Sequence, residues 1–210
     1  MFFLLQLAID LYIMITEGCI FMEKLPIIIT ERLLLREIEE GDAFDMFEFV
    51  RLSTIGPNAG WRPHASLSET REVIKLFRNK KKYGQLGVFA IVWKENNKMI
   101  GTIELHSYVR NHKAELGYTV SPKYWGRGIA VEASKYIISW GFEKLNLKRI
   151  ECTAFPENFQ SRRVCEKLGF TYEGLRKKVY LNYDGSVRDL ESFAITDDEY
   201  WDRIYKNTWW

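Results

Sequence analysis

The segment SPKYWGRGIAVEASKYI, residues 121–137, joins an apolar stretch on its N-terminal side to a clear helical pattern on its C-terminal side. Two glycines, Gly126 and Gly128, flank Arg127 just before the predicted helix. Glycine lets the backbone approach a ligand closely, and the unpaired amides at a helix N-terminus favour anions. The segment therefore predicts either a plain turn into a helix or a cradle for a phosphate group.

The elements around this segment predict a mixed sheet. Residues 87–120 contain three apolar, β-branched stretches separated by polar turns, which indicates an antiparallel meander. A helix over 130–145 then leads to a strand over 148–155, and such a crossover makes the flanking strands parallel neighbours. The fold class is therefore α+β (α/β sandwich-like), with a mixed, mostly antiparallel central sheet and flanking helices.

The rest of the chain supplies the edges of this sheet and its covering helices. The pattern predicts a strand over 31–38, a helix over 39–52, a long loop over 53–66, a helix over 66–82, a short helix over 161–168, and strands over 172–181 and 187–196. The last two strands are predicted to form a hairpin, because Asp184-Gly185 is a strong turn signal.

The length of 210 residues and a hydrophobic content of 47% suit one domain with a sizeable core. We expect residues 23–210 to form this domain and residues 1–22 to form an apolar, helical N-terminal extension. Polar residues at Gln6, Asp10 and Glu17 interrupt the extension before it reaches the length of a bilayer span, and a charged n-region is missing. No membrane association is expected.

Charge and cysteine content narrow the class further. The 30 basic and 28 acidic residues give a net charge of +2, which offers no general reason for binding nucleic acid. The basic run at 78–82 ends a predicted helix, where cations complement the dipole. Three cysteines without CxxC spacing suggest neither a disulfide framework nor a metal site. We therefore expect a cytoplasmic protein with no metal and no nucleic-acid partner.

Three motifs in order carry a resemblance to a known family. They are YWGRGIAVEA (124–133), RIECTAFPENFQSRRVCEKLGF (149–170) and YEGLRKK (172–178). Together they resemble the GCN5-related N-acetyltransferase (GNAT) superfamily, especially the branch that includes the ribosomal-protein N-terminal acetyltransferases, and the similarity spans roughly residues 26–196. It implies an acyl-CoA N-acyltransferase fold with a splayed parallel strand pair, and an enzyme that uses acetyl-CoA as co-substrate.

The resemblance assigns a donor site. The family's loop pattern falls on Trp125, Gly128 and Ala130, so that amides between Gly126 and Ala130 would bind the pyrophosphate of acetyl-CoA. The strand backbone at Thr119 and Val120 would pair with pantetheine, and Asn158 would contact the pantetheine arm, although it also suits a helix N-cap. The expected donor-binding residues are Thr119, Val120, Trp125, Gly126, Arg127, Gly128, Ile129, Ala130 and Asn158.

Acetyl transfer needs a neutral amine and a route for its proton. By resemblance to the strand-borne glutamate of the superfamily, Glu115 is the first candidate for the base, directly or through water. Glu104, one strand earlier, is the second. Either could instead be a solvated or ion-paired strand carboxylate. His106 could move a proton, but a lone strand histidine is more often structural.

The departing thiolate needs a hydrogen-bond donor. Many relatives place a tyrosine four residues before the Gly-Phe pair, and this chain has Cys165 there. By resemblance to a similarly placed serine of the ribosomal-protein branch, Ser161 is then the expected donor, and the Val120 amide is the expected oxyanion donor by the same resemblance. Cys165 is expected to be a buried apolar residue. Direct transfer in a ternary complex is preferred to an acyl-cysteine.

The acceptor side is the least specified by the sequence. In the family it is framed by the loop between the first two helices and by the last hairpin, which points here to Trp61, Arg62, His64 and Tyr183. Such a rim suits a peptide N-terminus, a polyamine, an antibiotic or another small amine. A catalytically weak acyl-CoA-binding module is the alternative to an enzyme. A homodimer, formed through the N-terminal helix or an apolar strand surface, is left open.

Overall fold

The computed structural model of this protein describes residues 24–210. The N-terminal extension predicted over 1–22, and any role of it in self-association, lies outside the described residues. The described strands are β1 (Ile28–Ile29), β2 (Leu33–Glu37), β3 (Phe89–Trp93), β4 (Lys98–Val109), β5 (Lys113–Val120), β6 (Arg149–Ala154), β7 (Thr171–Leu181) and β8 (Val187–Thr196). The described α-helices are α1 (Ala43–Val50), α2 (Gly56–Ala59), α3 (Leu67–Asn79), α4 (Ile129–Leu145), α5 (Phe159–Leu168) and α6 (Asp197–Tyr205).

The eight strands form one sheet in the order β1-β2-β3-β4-β5-β6-β8-β7. The pair β5 and β6 is parallel, and every other neighbouring pair is antiparallel. Helix α4 connects the two parallel strands. The predicted mixed α+β sheet, its meander β3-β4-β5 and the hairpin β7-β8 are confirmed.

The two parallel strands separate after a short common stretch. Their register joins Lys113–Glu115 to Arg149–Glu151 and ends there. The remaining residues of β5, 116–120, continue to pair with β4, and 152–154 of β6 continue to pair with β8. The predicted splayed pair is thus present, and it opens a gap in the middle of the sheet.

Both faces of the sheet are covered, because side chains alternate along each strand. On one face, helices α4, α5 and α6 pack on apolar residues such as Ile103, Leu105 and Leu116. On the other face, α1 and α3 pack on residues that include Ala90 and Val92. Residues of β5 with odd numbers therefore share the face of α1 and α3, and those with even numbers share the face of α4 and α5.

The structure contains three elements that the sequence patterns did not predict, and the first is the two-residue strand β1, which pairs with β2. The predicted loop over 53–66 contains the short helix α2, which ends at Gly60 in the left-handed conformation with φ of +82°. The C-terminal helix α6 was not predicted. It begins with a capping box in which the Thr196 hydroxyl accepts from the Glu199 amide, while the Glu199 carboxylate accepts from the Thr196 amide. The signal was present in the sequence TDDE, directly after the last strand.

No helix within residues 24–210 is both long enough and apolar enough to cross a bilayer.

Candidate active site

A cavity of about 890 Å³ lies where β5 and β6 separate. Its walls come from both faces of the sheet. Glu104 and Glu115 line it from the face of α1 and α3, whereas Ala130 and Ser161 line it from the face of α4 and α5. Groups on opposite faces of the sheet therefore reach a common space in the gap between the two strands.

The glycine segment forms one wall of the cavity at the start of α4. Gly126 and Gly128 both have left-handed backbones, with φ of +75° and +74°. No atom lies within 4 Å of the position that a Cβ of Gly126 would occupy, so this side of the loop is open. No side chain within residues 24–210 caps α4, and the amides of its first turn, at Ile129 and Ala130, stand free at the cavity. Uncapped amides and the helix dipole suit an anion such as a pyrophosphate.

A partly buried group of hydrogen bonds holds the glycine loop on the side of β1 and β2. Glu132, in the first turn of α4, accepts hydrogen bonds from the Thr30 hydroxyl at 2.5 Å and from Arg32 Nε at 2.7 Å. Arg32 Nη1 in turn donates to the carbonyl of Arg127 over 2.9 Å. Burial alone would raise the pKa of the Glu132 carboxyl, but these hydrogen bonds and the Arg32 charge hold that pKa below its usual value. Glu132 is therefore a structural carboxylate that fixes the loop.

Trp125 and Arg127 take different positions at the loop. The indole Nε1 of Trp125 donates to the carbonyl of Val120 over 2.7 Å. The ring therefore lies against the end of β5, and the Val120 carbonyl already has a hydrogen-bond donor. Trp125 lines the cavity. The guanidinium of Arg127 instead lies 5.4 Å from the ring centre of Tyr124, and its side chain is not part of the cavity wall.

The direction of the backbone groups in β5 decides which of them face the gap. The amide of Ser121 donates to the carbonyl of Ile100 on β4 over 2.8 Å. Because bonding alternates along an antiparallel pair, Thr119 also faces β4, while Tyr118 and Val120 turn their amides toward the gap. The backbone of Val120 is therefore available to a ligand through its amide. Thr119 lines the cavity, although its amide and carbonyl face β4.

Glu115 lines the cavity and has a single hydrogen-bonded partner among the residues that the structure describes. Its Oε1 accepts from the hydroxyl of Thr153 on β6 over 2.5 Å. Within residues 24–210, no cation forms an ion pair with this carboxylate. An acceptor-only group held in place without a counter-charge can accept a proton or bind an ammonium group.

Glu104 also lines the cavity, but it is ion-paired. Its carboxylate contacts the ammonium of Lys80, directly after α3. His106 stands opposite Glu115 across the β4-β5 ladder, and its Nδ1 lies 3.0 Å from the hydroxyl of Ser107. Its ring covers Gly117, where an added Cβ would approach within 3.1 Å. Of the two strand carboxylates, Glu104 is therefore ion-paired and Glu115 is not, within the described residues.

The donor side of the cavity is organised by the start of α5. Asn158 is the N-cap of this helix, and its Oδ1 accepts from the amide of Ser161 over 3.1 Å. Its Nδ2 donates to the carbonyl of Asn58 over 3.1 Å, which ties α2 to α5. The hydroxyl of Ser161 lies 2.9 Å from the phenol oxygen of Tyr118. Asn158 thus has the capping role, and Ser161 points into the cavity beside a tyrosine.

The two described cysteines are free and buried. The thiol of Cys165 packs inside the α5 side of the core, as expected. Contact with Cys165 and burial raise the pKa of the Cys152 thiol well above its ordinary value. Neither arrangement favours a thiolate nucleophile.

Only one of the four predicted acceptor residues reaches the cavity. Trp61 lines it, whereas Arg62 is ion-paired with Glu69 outside it. His64 is buried, with Nδ1 2.8 Å from the hydroxyl of Thr70, and burial lowers its pKa. Tyr183 lies in the turn after β7, outside the cavity wall.

Other residues close the acceptor side. The phenol of Tyr180 donates to the carbonyl of Gly60 over 2.9 Å, which holds the end of α2 against β7. Sequence reasoning did not select Tyr118, Thr153 or Tyr180, all of which line the cavity. The alternation of β5 places Tyr118 on the even-numbered face with Ser161, but its contact depends on the angle of α5, which no local pattern gives. No cluster of His, Cys, Asp or Glu suited to a metal ion occurs among residues 24–210.

Comparisons with known proteins agree with this geometry. Residues 32–171 match the family model described as Acetyltransferase (GNAT) domain. A Bacillus licheniformis protein named uncharacterized N-acetyltransferase p20 is 33% identical over 81% of this chain and 96% of that protein. A GNAT-family acetyltransferase structure from Bacillus anthracis has a TM-score of 0.74 at 30% identity, covering 83% of this chain and 100% of that one.

A third similar structure is described as ribosomal-protein-S5-alanine acetyltransferase from Vibrio fischeri. It has a TM-score of 0.71 at 27% identity and covers 83% of this chain and 98% of that one. The strand order, the splayed pair, the glycine loop before α4 and the matched family model all lead to the same assignment: the chain belongs to the GNAT acetyltransferase family.

Proposed function

We propose that this N-acetyltransferase moves an acetyl group from acetyl-CoA to a primary amine by direct attack, with both substrates bound in the splayed cavity. The observation that carries the proposal is the division of the cavity between the two faces of the sheet. Free helix amides and the Ser161 hydroxyl occupy one side, and the carboxylate of Glu115 occupies the other. A thioester in the gap could meet an amine from the opposite face.

The donor half is assigned to the start of α4 and the end of β5. The amides from Gly126 to Ala130 are proposed to bind the pyrophosphate, since the left-handed glycines leave the loop open. Trp125 donates to the Val120 carbonyl, and the Val120 amide, which faces the gap, is proposed as the strand group at the thioester end. That amide is placed to bind the oxyanion that forms during attack.

The acceptor half is assigned to Glu115. An ammonium group must lose a proton before it attacks, and the unpaired carboxylate of Glu115 can take it directly or through water. The hydrogen bond from Thr153 fixes one carboxylate oxygen and leaves the other available. Glu104 is proposed to influence only the electrostatic potential in the cavity and not to take the proton, because Lys80 neutralises its charge.

The favoured acceptor is the α-amine of a protein N-terminus. This choice rests on similarity: the Vibrio fischeri structure, described as acting on an alanine of ribosomal protein S5, covers most of this chain. Polyamines, antibiotics and other small amines are the alternatives that the test must separate. A chain that binds CoA without turnover is the remaining alternative.

The decisive experiment is a screen of amines and peptide N-termini with the full chain, read by release of free CoA thiol, beside calorimetry with acetyl-CoA. Saturable CoA binding and release with a peptide α-amine are expected. Release of CoA with spermidine, and with none of the peptides, would show that the acceptor is a polyamine and not a protein N-terminus. Binding without release across the panel would favour the non-catalytic module, and no CoA binding would reject the whole proposal.

The setting of the enzyme is proposed to be the cytoplasm, because Cys152 and Cys165 are free thiols that suit a reducing compartment. Residues 23–210 are proposed to form the catalytic unit, and 1–22 an appended segment. Deleting residues 1–22 and measuring the solution mass would test a dimer through that segment. An unchanged number of subunits would count against it.

A further inference from the structure

Tyr118 is a cavity residue with no role in the steps described so far. It lies on β5 beyond the last residue that pairs with β6, on the face of α5. Its phenol oxygen is 2.9 Å from Oγ of Ser161, and the Ser161 backbone is itself held by Asn158. Two hydroxyls from separate elements are therefore fixed against each other on the donor side of the cavity.

The direction of this hydrogen bond follows from the partners available. Within residues 24–210, Ser161 is the only hydrogen-bond partner of the Tyr118 hydroxyl. If Ser161 donated to Tyr118, the phenol proton would be left without an acceptor in a largely buried place, which is costly. If Tyr118 donates to Ser161, both protons are used, because the Ser161 proton can point into the cavity.

The surroundings of Tyr118 keep its proton in place. Its neighbours include the buried thiols of Cys152 and Cys165, and burial raises its pKa well above the ordinary phenol value. A phenolate here would be poorly solvated. Tyr118 is therefore a hydrogen-bond donor across the neutral pH range and a poor source of a proton.

We propose that Tyr118 is a positioning residue for thiolate departure: its hydroxyl orients the Ser161 hydroxyl so that the pair donates a hydrogen bond to the sulfur of CoA. The inference rests on the proposed function of the cavity. Donors in series polarise one another, so the second hydroxyl strengthens the first.

The step balances without a proton from the pair. The amine nitrogen forms a bond to the carbonyl carbon, the C–S bond breaks, and the sulfur keeps the electron pair as a thiolate. The proton of the amine goes to Glu115 or to water. Ser161 and Tyr118 keep their protons, and the thiolate takes one from water when CoA leaves.

The test uses full-length Tyr118→Phe, Ser161→Ala and the double variant. Tyr205→Phe serves as the matched control, since Tyr205 is 86% exposed on α6 and outside the cavity. Two quantities are measured: kcat with acetyl-CoA, and the pKa of the enzyme-bound CoA thiol from its ultraviolet thiolate absorbance. The second quantity reports the donor pair directly, and a purely structural role would leave it unchanged.

Ser161→Ala is expected to lower kcat about 100-fold and to raise the bound-thiol pKa by about one unit. Tyr118→Phe, which keeps the ring, is expected to lower kcat about tenfold and to raise that pKa by a smaller amount. The double variant should match Ser161→Ala, because Tyr118 acts through Ser161. CoA affinity at about pH 6, where the thiol is protonated, should change less than about twofold in every variant.

Three results would overturn the inference while the proposed function stands. The first is a Tyr118→Phe variant with wild-type kcat and bound-thiol pKa. The second is additive losses in the double variant. The third is an alkaline ionisation in the kcat profile that disappears in Tyr118→Phe, since Tyr118 would then give up its own proton. Failure of the wild-type chain to bind CoA would instead reject the proposed function.

Discussion

The hydroxyl of Thr153 donates a hydrogen bond of 2.5 Å to Oε1 of Glu115, from β6 to β5, next to the point where the two strands separate. The separation that opens the cavity thus also leaves room for a side-chain bridge between the strands. Glu104, on the neighbouring strand, is instead bound to Lys80. The fold therefore gives two cavity carboxylates different environments, and only Glu115 is without a cation partner in the described part of the chain.

The first prediction concerns these two carboxylates. Glu115→Gln removes the proposed base and is expected to lower kcat/KM for the amine by roughly 10²–10³-fold, the range typical of acid–base groups. Glu104→Gln is expected to cost less than about tenfold, because it removes a neutralised charge. The measurement is CoA release with saturating acetyl-CoA and varied amine. Equal losses in the two variants would show that the ion pair with Lys80 does not distinguish them.

Thr153→Val extends this prediction by removing the hydroxyl and keeping the shape of the side chain. The Glu115 carboxylate then loses the hydrogen bond that Thr153 donates, so we expect a loss of roughly tenfold in kcat with unchanged CoA affinity. If Thr153→Val were as active as the wild type, the position of the carboxylate would not depend on this bridge.

The sequence was sufficient for the main elements of the fold. The apolar alternation of β3, β4 and β5, the crossover through α4 and the Asp184-Gly185 turn are local patterns, and each agrees with the structure. The glycine loop could also be placed before α4, since two glycines ahead of a helical period leave few alternatives. Helix α6 also has a local signal, the capping box between Thr196 and Glu199, and is predictable from the sequence on that ground.

The site depended more on tertiary packing. Whether Glu115 or Glu104 is paired depends on where the end of α3 carries Lys80, and strand periodicity contains no information on that. Arg62 and His64 are residue types that suit the rim of an acceptor site. In the structure Arg62 instead binds Glu69 and His64 binds Thr70, and both partners belong to α3, away from the cavity. Tyr118 meets Ser161 through the crossing of α5 over β5, which is also not a local property.

The second prediction tests the glycine loop. Gly128→Ala adds a Cβ to a residue at φ of +74°, where the nearest atom, Arg32 Nη2, is 3.8 Å away, so the cost is backbone strain and not a clash. Strain of about 1–2 kcal/mol is expected to shift the loop and weaken acetyl-CoA binding roughly tenfold by calorimetry. Gly84→Ala is the matched control, with φ of +73° and no atom within 4 Å. The control should lose similar stability and keep its CoA affinity; a parallel loss of affinity in both would indicate general destabilisation.

The third prediction is a pH dependence. Because the pKa of Glu132 is lower in the folded protein, its contribution to stability is complete above the ordinary carboxyl range, about 4.3, and is lost as the pH falls through the lowered value. The Glu132→Gln variant has no ionisable carboxyl at this position, so this contribution to its stability does not change with pH. The difference in melting temperature between wild type and Glu132→Gln should therefore be largest near neutral pH and shrink below about pH 4. A difference that is constant with pH would mean that the charge of Glu132 is not what stabilises the loop.

The fourth prediction concerns the contact between α2 and β7 that closes the acceptor side. A Cβ on Gly60 would lie 2.2 Å from the Tyr180 hydroxyl, at a residue with φ of +82°. Gly60→Ala must therefore displace either α2 or Tyr180 and break the bond from Tyr180 to the Gly60 carbonyl. We expect KM for the amine to rise about tenfold or more while the affinity for acetyl-CoA stays within about twofold, since the donor loop is formed by other residues.

Gly84→Ala again controls for backbone strain alone. If the two variants had the same KM for the amine, α2 would have no part in holding the acceptor; if Gly60→Ala instead lost CoA binding, the link through Asn58 and Asn158 would couple the two halves of the cavity.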